Sequence, residues 1–430
     1  MTSTLLKTST INQPTIHQLT NGLTIIAEQM PVEAVNLNVW LNVGSVRETD
    51  EINGMAHFLE HMVFKGTPNL AMGEFEYLIE EKGAVTNAAT SQDYTHYYIT
   101  TAPKDFAELA PLQLDVVLNP SIPDDAFERE RLVVLEEIRR SEDNPRRRTF
   151  YRAMENCFNN LPYRRRVLGP AEVIENLLPQ QMRDFHSTWY QPSSMTAAVV
   201  GNLPTEQLIE IVTEGFERQF QASDHLLNNQ VNPHLTPESP FNEIVRQEYI
   251  DETLQQARLV MMWRVPGMVE LEKTYALDIL AVILGQGKVS RLYRDLREER
   301  GLVTQISVSN MTQTHQGVFY ISAQLPTENL EVVEEAIAQH LNQLHTEPIA
   351  TKDLARIRTQ VANRFVFANE RPSDRADLYG YYYSQLQDLQ PALNYPQHIQ
   401  AIDVADLQLA AQEYLSPNAY GVVVIKPANQ

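Results

Sequence analysis

The sequence predicts an α+β protein of two homologous domains, each a mostly antiparallel or mixed sheet with helices packed on one face. Three observations carry this prediction. The chain is internally duplicated: WYQPSSMTAAVVG (Trp189–Gly201) returns near the end as EYLSPNAYGVVVI (Glu413–Ile425), and Tyr190 corresponds to Tyr414, 224 residues on. A period that long indicates paired domains and not a solenoid of short repeats. Within each half, strand-like and helix-like segments alternate irregularly. Between the halves, QASDHLLNNQVNPHLTPESP (Gln221–Pro240) is polar, carries prolines and has no periodicity, as a linker does.

In chain order, LTIIAEQMPVEAVNLNVWLNVGS reads as a pair of strands, and EIVRQEYIDETLQQARLVMMWRVPG opens the second half the same way. Each half then continues through a long helix, further strands and two more helices. In both, a helix leading into Tyr190 or Tyr414 is followed by a Pro/Ser/Asn turn and a β-branched closing strand. The expected divisions are a first domain over 13–225, a linker over 226–240 and a second domain over 241–430.

Composition narrows the function. With 43% hydrophobic and 21% charged residues, the chain has the balance of a globular protein able to bury large cores. A net charge of −21 argues against nucleic acid, whose phosphates it would repel. Cys157 is the single cysteine, which rules out an intrachain disulfide and a cysteine-rich metal site. No apolar run approaches the ~18 residues of a membrane span. The opening MTSTLLKTSTINQ lacks the apolar core of a secretion signal, so the expected compartment is the cytoplasm.

The chemistry concentrates in GMAHFLEHMVFKG (Gly54–Gly66). On a helix, His57 and His61 lie about 40° apart and Glu60 about 60° from His57, so one face presents all three. Imidazoles at i and i+4 suit a single zinc ion, and a neighbouring carboxylate suits a base. The H-x-x-E-H spacing is that of the inverzincins, although so short a motif also arises by chance on a polar helix face. A catalytic zinc site needs a third protein ligand. DDAFERERLVVLEEIRRSEDNP (Asp124–Pro145) offers one. With Glu130 as origin, Ala126, Phe127, Val133, Val134 and Ile138 fall within about 80°, and Glu137 lies about 20° away. Two carboxylates within an apolar stripe need a cation, either a metal or a core arginine. The metal reading makes Glu137 the third ligand and Glu130 a support for a ligand or water.

With these segments in view, the chain resembles the pitrilysin-type zinc metallopeptidases, the inverzincins, in the branch of mitochondrial processing peptidase and its bacterial relatives. The resemblance spans nearly the whole chain. GMAHFLEHMVFKGT is similar to the family's zinc helix, and ERERLVVLEEI to the helix of the distal ligand, 76 residues beyond His61. TNAATSQDYTHYY and VSRLYRDLREERGLV resemble its substrate-strand and second-half signatures. The resemblance implies one Zn²⁺ held by His57, His61 and Glu137, with Glu60 as general base and Glu130 as a supporting acid. It also implies peptide substrates added as an extra strand along Asn87, Ala88, Ala89 and Thr90, with Arg297 as a further substrate contact.

One feature departs from the family pattern. Relatives carry a Tyr seven residues after the Arg, whereas the seventh residue after Arg297 is Thr304, which lacks the reach of a phenol. That leaves open a homodimer or a heterodimer in which a zinc-less paralogue supplies the pair. The second half has no histidine pair at its equivalent helix, EKTYALDILAVIL, and its LGQGKVSRLY lacks the glycine spacing of a nucleotide loop. His96, His186 and His315 have no partners at ligand spacing and read as surface or hydrogen-bonded core histidines. The PRRR and YRRR runs (Pro145–Arg148, Tyr163–Arg166) read as solvated faces.

Overall fold

Strands rich in Val, Ile, Ala and aromatic residues account for the scaffold of the computed structural model, which describes residues 13–220 and 235–428. The first sheet contains β1 (Thr15–Gln18), β2 (Thr24–Gln29), β3 (Val35–Leu41), β4 (Val85–Thr90), β5 (Thr95–Thr101) and β6 (Met195–Gly201). The second contains β7 (Ile244–Asp251), β8 (Ala257–Pro266), β9 (Gln305–Met311), β10 (Gln316–Leu325) and β11 (Tyr420–Pro427). Their spatial orders are β1-β2-β6-β3-β5-β4 and β7-β11-β8-β10-β9. Apart from the added β1, the two sheets are the same arrangement. In each, the closing strand runs parallel to the opening one (β2 with β6, β7 with β11) and every other pairing is antiparallel. The duplicated Tyr–Pro–strand segment therefore corresponds to one structural event, insertion of the last strand into the middle of a sheet.

The chain forms an α+β fold of two compact units, and each is discontinuous in sequence. The first gathers the chain up to Ile138, the stretch that resumes at Arg166, and Phe365–Asn394. The second gathers Arg139–Arg165, the stretch that ends at Arg364, and the chain from Tyr395. The strands of the first sheet all precede Asn202 and those of the second all follow Glu243, while one helical segment from each half groups with the other half's sheet. Most of the expected linker, 226–234, lies outside the described residues.

This grouping alters the layer arrangement that sequence suggested. In the first unit the helices Met55–Val63, Phe106–Leu118 and Thr205–Gln219 bury their apolar sides on one face. The helix Pro372–Leu386 covers the other face, where Ala376 and Tyr379 meet Ile26, Ala198 and Val200. Every residue of β3 and β6 is buried. That is why MTAAVVG shows no polar alternation: a central strand covered on both faces has no solvent side. In the second unit the helix Tyr275–Gly285, buried at every residue but Asp278, packs on one face. The helix Pro145–Cys157 lies on the other, where Asn156 Nδ2 donates to Val245 O at 3.2 Å and Val422 O at 3.3 Å. Among the described residues, no helix is long and apolar enough to cross a membrane.

The Pro372–Leu386 helix is pinned at close range. Glu28, 4% exposed, accepts from Arg375 at 3.2 Å and from the Tyr379 hydroxyl at 2.7 Å. Gly380 lies directly on Trp40, where an added Cβ would sit 2.1 Å from the indole. A rigid ring cannot yield to a methyl group at that distance, so the helix would have to lift from the sheet. Gly380→Ala is therefore expected to cost at least about 2 kcal/mol of stability, read as a lower urea midpoint with an unchanged slope.

Candidate metal centre

The helix Met55–Val63 is held at both ends by its own sequence. Gly54 precedes it with φ +99, a conformation costly for residues with a Cβ, and a Cβ there would also meet Leu168 O at 2.6 Å. The buried Glu48 caps it: Oε2 accepts from Gly54 N at 2.8 Å and Asn53 Nδ2 at 2.7 Å, and Oε1 from Ala56 N at 2.8 Å. A carboxylate at a helix N-terminus satisfies the free amides and meets the positive end of the dipole. At the other end the helix stops at Val63, and Gly66 turns the chain with φ +100.

A single aromatic stack sets the second helix, Asp124–Asp143, against the first. Phe58 lies on Phe127 with centroids 4.5 Å apart and planes 28° from parallel. Arg131 covers Phe127 from 4.9 Å and donates to Ile174 O and, at 2.8 Å, to Leu177 O. Ala126, Phe127, Val134 and Ile138 form the buried stripe. Val133, which the helical wheel included in that stripe, is 50% exposed. It sits at the stripe's outer edge, about 60° from Glu130 on the side away from Phe127.

These contacts bring His57, His61 and Glu137 together as a group whose ligand atoms all lie within 4.8 Å of one another. Glu137 Oε2 is 3.5 Å from His57 Nε2 and 3.6 Å from His61 Nε2. A tetrahedral ion about 2.0–2.1 Å from each donor separates its ligands by roughly 3.3–3.5 Å, so this donor set fits zinc in both size and chemistry. Glu130 lies behind His61: its Oε1 is 2.9 Å from Nδ1, and its Oε2 takes Lys65 Nζ at 2.7 Å. A proton on Nδ1 directed to Glu130 leaves the Nε2 lone pair facing Glu137. Glu60 reaches the same face and accepts from the Thr90 hydroxyl at 2.5 Å.

The protonation pattern follows from this geometry. Burial, together with the neighbouring His61 charge, depresses His57 to about 4 against the opposing pull of Glu137. Burial acts on His61 in the same direction, but hydrogen bonds to Glu130 and Glu137 and the Glu60 charge outweigh it and raise His61 to about 9. Glu60 is pushed above the usual carboxylate range by burial, despite the Thr90 hydrogen bond and the His61 charge. Glu130 falls below that range: its burial is overcome by the bonds from His61 and Lys65.

The other expected residues fall into two groups. Asn87, Ala88, Ala89 and Thr90 lie on β4, the last strand of its sheet, paired on one side with β5 through Asn87↔Tyr98, Ala88↔Tyr97, Ala89↔His96 and Thr90↔Thr95. Thr90 joins this strand to the centre through Glu60. Arg297 belongs to the second unit, on the helical turn Tyr293–Glu299, where its guanidinium lies 4.8 Å from the Tyr293 ring and donates to the phenol oxygen. Thr304 is engaged elsewhere, donating to Gln256 Oε1 at 2.9 Å and Gln324 O at 3.0 Å. Of the three lone histidines, His96 stacks on Trp40 at 4.2 Å with Nδ1 3.1 Å from Asn38 Oδ1. His186 Nε2 meets Val117 O at 3.0 Å, and the His315 amide donates to the Tyr163 hydroxyl at 3.0 Å.

Sequence reasoning missed Glu48, Lys65 and Tyr293. Lys65 could have been found, because it stands one turn beyond His61 on the same face. Tyr293 precedes Arg297 by four residues, upstream of the family's Arg–Tyr spacing. Glu48 lies in an irregular segment, where spacing holds no information about what it caps.

Comparisons with known proteins agree with this organisation. The family model for insulinase, peptidase family M16, matches residues 23–171, and that for the peptidase M16 inactive domain matches 176–361. The zinc protease PqqE of Helicobacter pylori is 29% identical over 95% of this chain and 92% of its own. An uncharacterised zinc protease of Mycobacterium leprae is 30% identical over 74% of this chain and 72% of its own. The crystal structure of a protease from Helicobacter pylori superposes with a TM-score of 0.90 at 27% identity, covering 97% of this chain and all of that one. The chain belongs to peptidase family M16, the pitrilysin-type family.

A metal binding at His61 must compete with the proton that Glu130 and Glu137 stabilise there. Zinc affinity is therefore expected to rise with pH up to about 9, by at most roughly tenfold per unit for one displaced proton. Competition against a chromophoric chelator at several pH values measures this. Glu130→Gln is expected to flatten the dependence.

Proposed function

We propose that the chain is a zinc-dependent endopeptidase in which His57, His61 and Glu137 hold one Zn²⁺ and Glu60 is the general base. The observation that carries this reading is the convergence of Glu137 Oε2 on both Nε2 atoms at 3.5 and 3.6 Å, with Glu60 on the same helix face. When bound, zinc supplies Lewis acidity, drawing the pKa of a coordinated water toward about 7 and polarising a substrate carbonyl.

The chain's own groups do the rest. Glu60, raised by burial, takes the proton of the attacking water and delivers it to the leaving amine. Thr90 fixes the Glu60 carboxylate by hydrogen bonding to one oxygen, which leaves the other for the proton. Glu130 fixes the His61 tautomer, and Lys65 holds Glu130 ionised. Substrate pairs along the open edge of β4 at Asn87–Thr90, through main-chain bonds that tolerate many sequences. That recognition suits peptides and unfolded segments.

The engagement of Thr304 with Gln256 and Gln324 favours a second form of the same reading. In it the chain is the zinc-bearing member of a heterodimer, and a zinc-less paralogue contributes an Arg/Tyr pair. The homodimer form instead relies on Arg297 with Tyr293. Peptide cleavage at full rate by the purified chain alone would dismiss the paralogue requirement.

Glu60→Gln is expected to keep its metal and lose turnover by about 10²–10⁴-fold, and Glu137→Gln to lose metal affinity. Metal content and cleavage of a quenched-fluorescence peptide library measure both. Turnover retained by Glu60→Gln would remove Glu60 from the role of base.

A further inference from the structure

In the second unit, a cavity of about 230 Å³ lies between the helix Pro145–Cys157 and the sheet face formed by β8, β10 and β9. Strand alternation explains its lining. Leu259, Met261, Trp263, Phe319 and Ile321 point to the core under the helix Tyr275–Gly285. Their neighbours in sequence point the other way, where the single helix Pro145–Cys157 packs on β8 and β11. The cavity is the remaining space.

It has two chemically different ends. Along the helix its wall runs Arg146, Phe150, Met154, one turn apart, and along β8 it runs Arg258, Val260, Met262 at every second residue. Arg146 reaches Gln305, whose cross-strand partner Gln324 pairs in turn with Arg258, so the two arginines share one end. The floor at that end is polar. Gln324 pairs in register with Arg258 and Gln305, and Ser322 pairs with Val260 and Ser307.

Neither arginine meets a carboxylate among the described residues. Arg146 donates to the neutral Gln305 Oε1 at 3.3 Å. Arg258 Nε is shielded from solvent and finds no acceptor among the described residues. The carboxylate whose field reaches Arg258, Asp251, is already held by Arg148 and Thr253. Burial and the Arg146 and Arg148 charges all disfavour a charged Arg258. On a chain of net charge −21, this cavity keeps a local cationic excess in a partly apolar setting. Arg258 is half-buried with its Nε shielded and without an acceptor among the described residues, and a carboxylate that bridges it and the more exposed Arg146 would relieve that cost.

We infer that this cavity is a binding site for the C-terminal carboxylate of a peptide, seated at Arg146 and Arg258, with an apolar last side chain against Phe150, Val260, Met154 and Met262. The polar floor favours a peptide over a hydrocarbon chain, since Gln305, Ser307, Ser322 and Gln324 can bond the amide of the last residue. The choice of a peptide also rests on the peptidase reading. The cationic end and the apolar wall do not.

The test is calorimetric binding to the full chain with a chelator present, so that nothing is turned over. The probes are a short peptide ending in leucine, the same peptide with an amidated C-terminus, and octanoate. Saturable binding of the acid, at least tenfold weaker for the amide and at least tenfold weaker for Arg258→Gln, is expected. The edge of β4 would bind acid and amide alike and would not respond to Arg258→Gln. Equal affinity of acid and amide, or binding of octanoate without the peptide, would overturn the assignment. A second measurement uses the unliganded protein, where Arg258→Met is expected to keep or raise the melting temperature because it removes an unpaired charge. A lowered melting temperature would show that the guanidinium is already compensated and would equally overturn it.

Discussion

The centre depends on the seating of one ring on another. Phe58 stacks on Phe127, and this contact fixes the rotation and height of the Asp124–Asp143 helix against Met55–Val63. Glu137 stands ten residues beyond Phe127, close to three helical turns, so any slip at the stack is carried along the helix to the carboxylate. Around the stack, Arg131 ties the second helix to Ile174 and Leu177, and Glu48 ties the first to its own amides. These groups hold His57, His61 and Glu137 in place without belonging to the cluster, and such a cluster tolerates little displacement of them.

Charge is arranged to match. Glu60, Glu130 and Glu137 gather around two imidazoles, and Lys65 neutralises only Glu130, from the side away from the centre. The carboxylate nearest both Nε2 atoms is Glu137, and His61 takes up a proton in response to the acids around it. Two electrostatic demands coexist here. One histidine is held neutral by burial, and the other is made basic by its carboxylates. A divalent ion satisfies both, because it needs neutral imidazoles and offers positive charge to the carboxylates.

Duplication explains how one fold serves two purposes. The helix that carries His57, Glu60 and His61 in the first unit corresponds to Tyr275–Gly285 in the second, where every residue but Asp278 is buried. One copy carries two imidazoles and a carboxylate on one face, and the other remains a core helix. On the opposite sheet faces the helices also differ. Pro372–Leu386 closes on its sheet through Gly380 and Trp40, whereas Pro145–Cys157 leaves the cavity with Arg146 and Arg258. A glycine against an indole permits contact that Arg146 on the helix and Arg258 on β8 do not.

Periodicity and spacing determined the strands, the duplication and the shared faces of the two helices, because these are properties of consecutive residues. His57, Glu60 and His61 follow from 3.6 residues per turn, and Glu130 and Glu137 from the one-repeat spacing that keeps both near the buried stripe. Tertiary structure alone decided the rest. That Glu48 caps the first helix depends on where an irregular segment returns, and no local period encodes it. Val133 is half exposed although it shares the wheel's arc with buried neighbours, because burial depends on what packs against each position and not on the period alone. The discontinuous units arose because a helix chooses its sheet by the apolar face it can cover, and 139–165 and 365–394 find theirs beyond the linker. Local patterns follow from covalent geometry, while partnership follows from surfaces that exist only after the chain has folded.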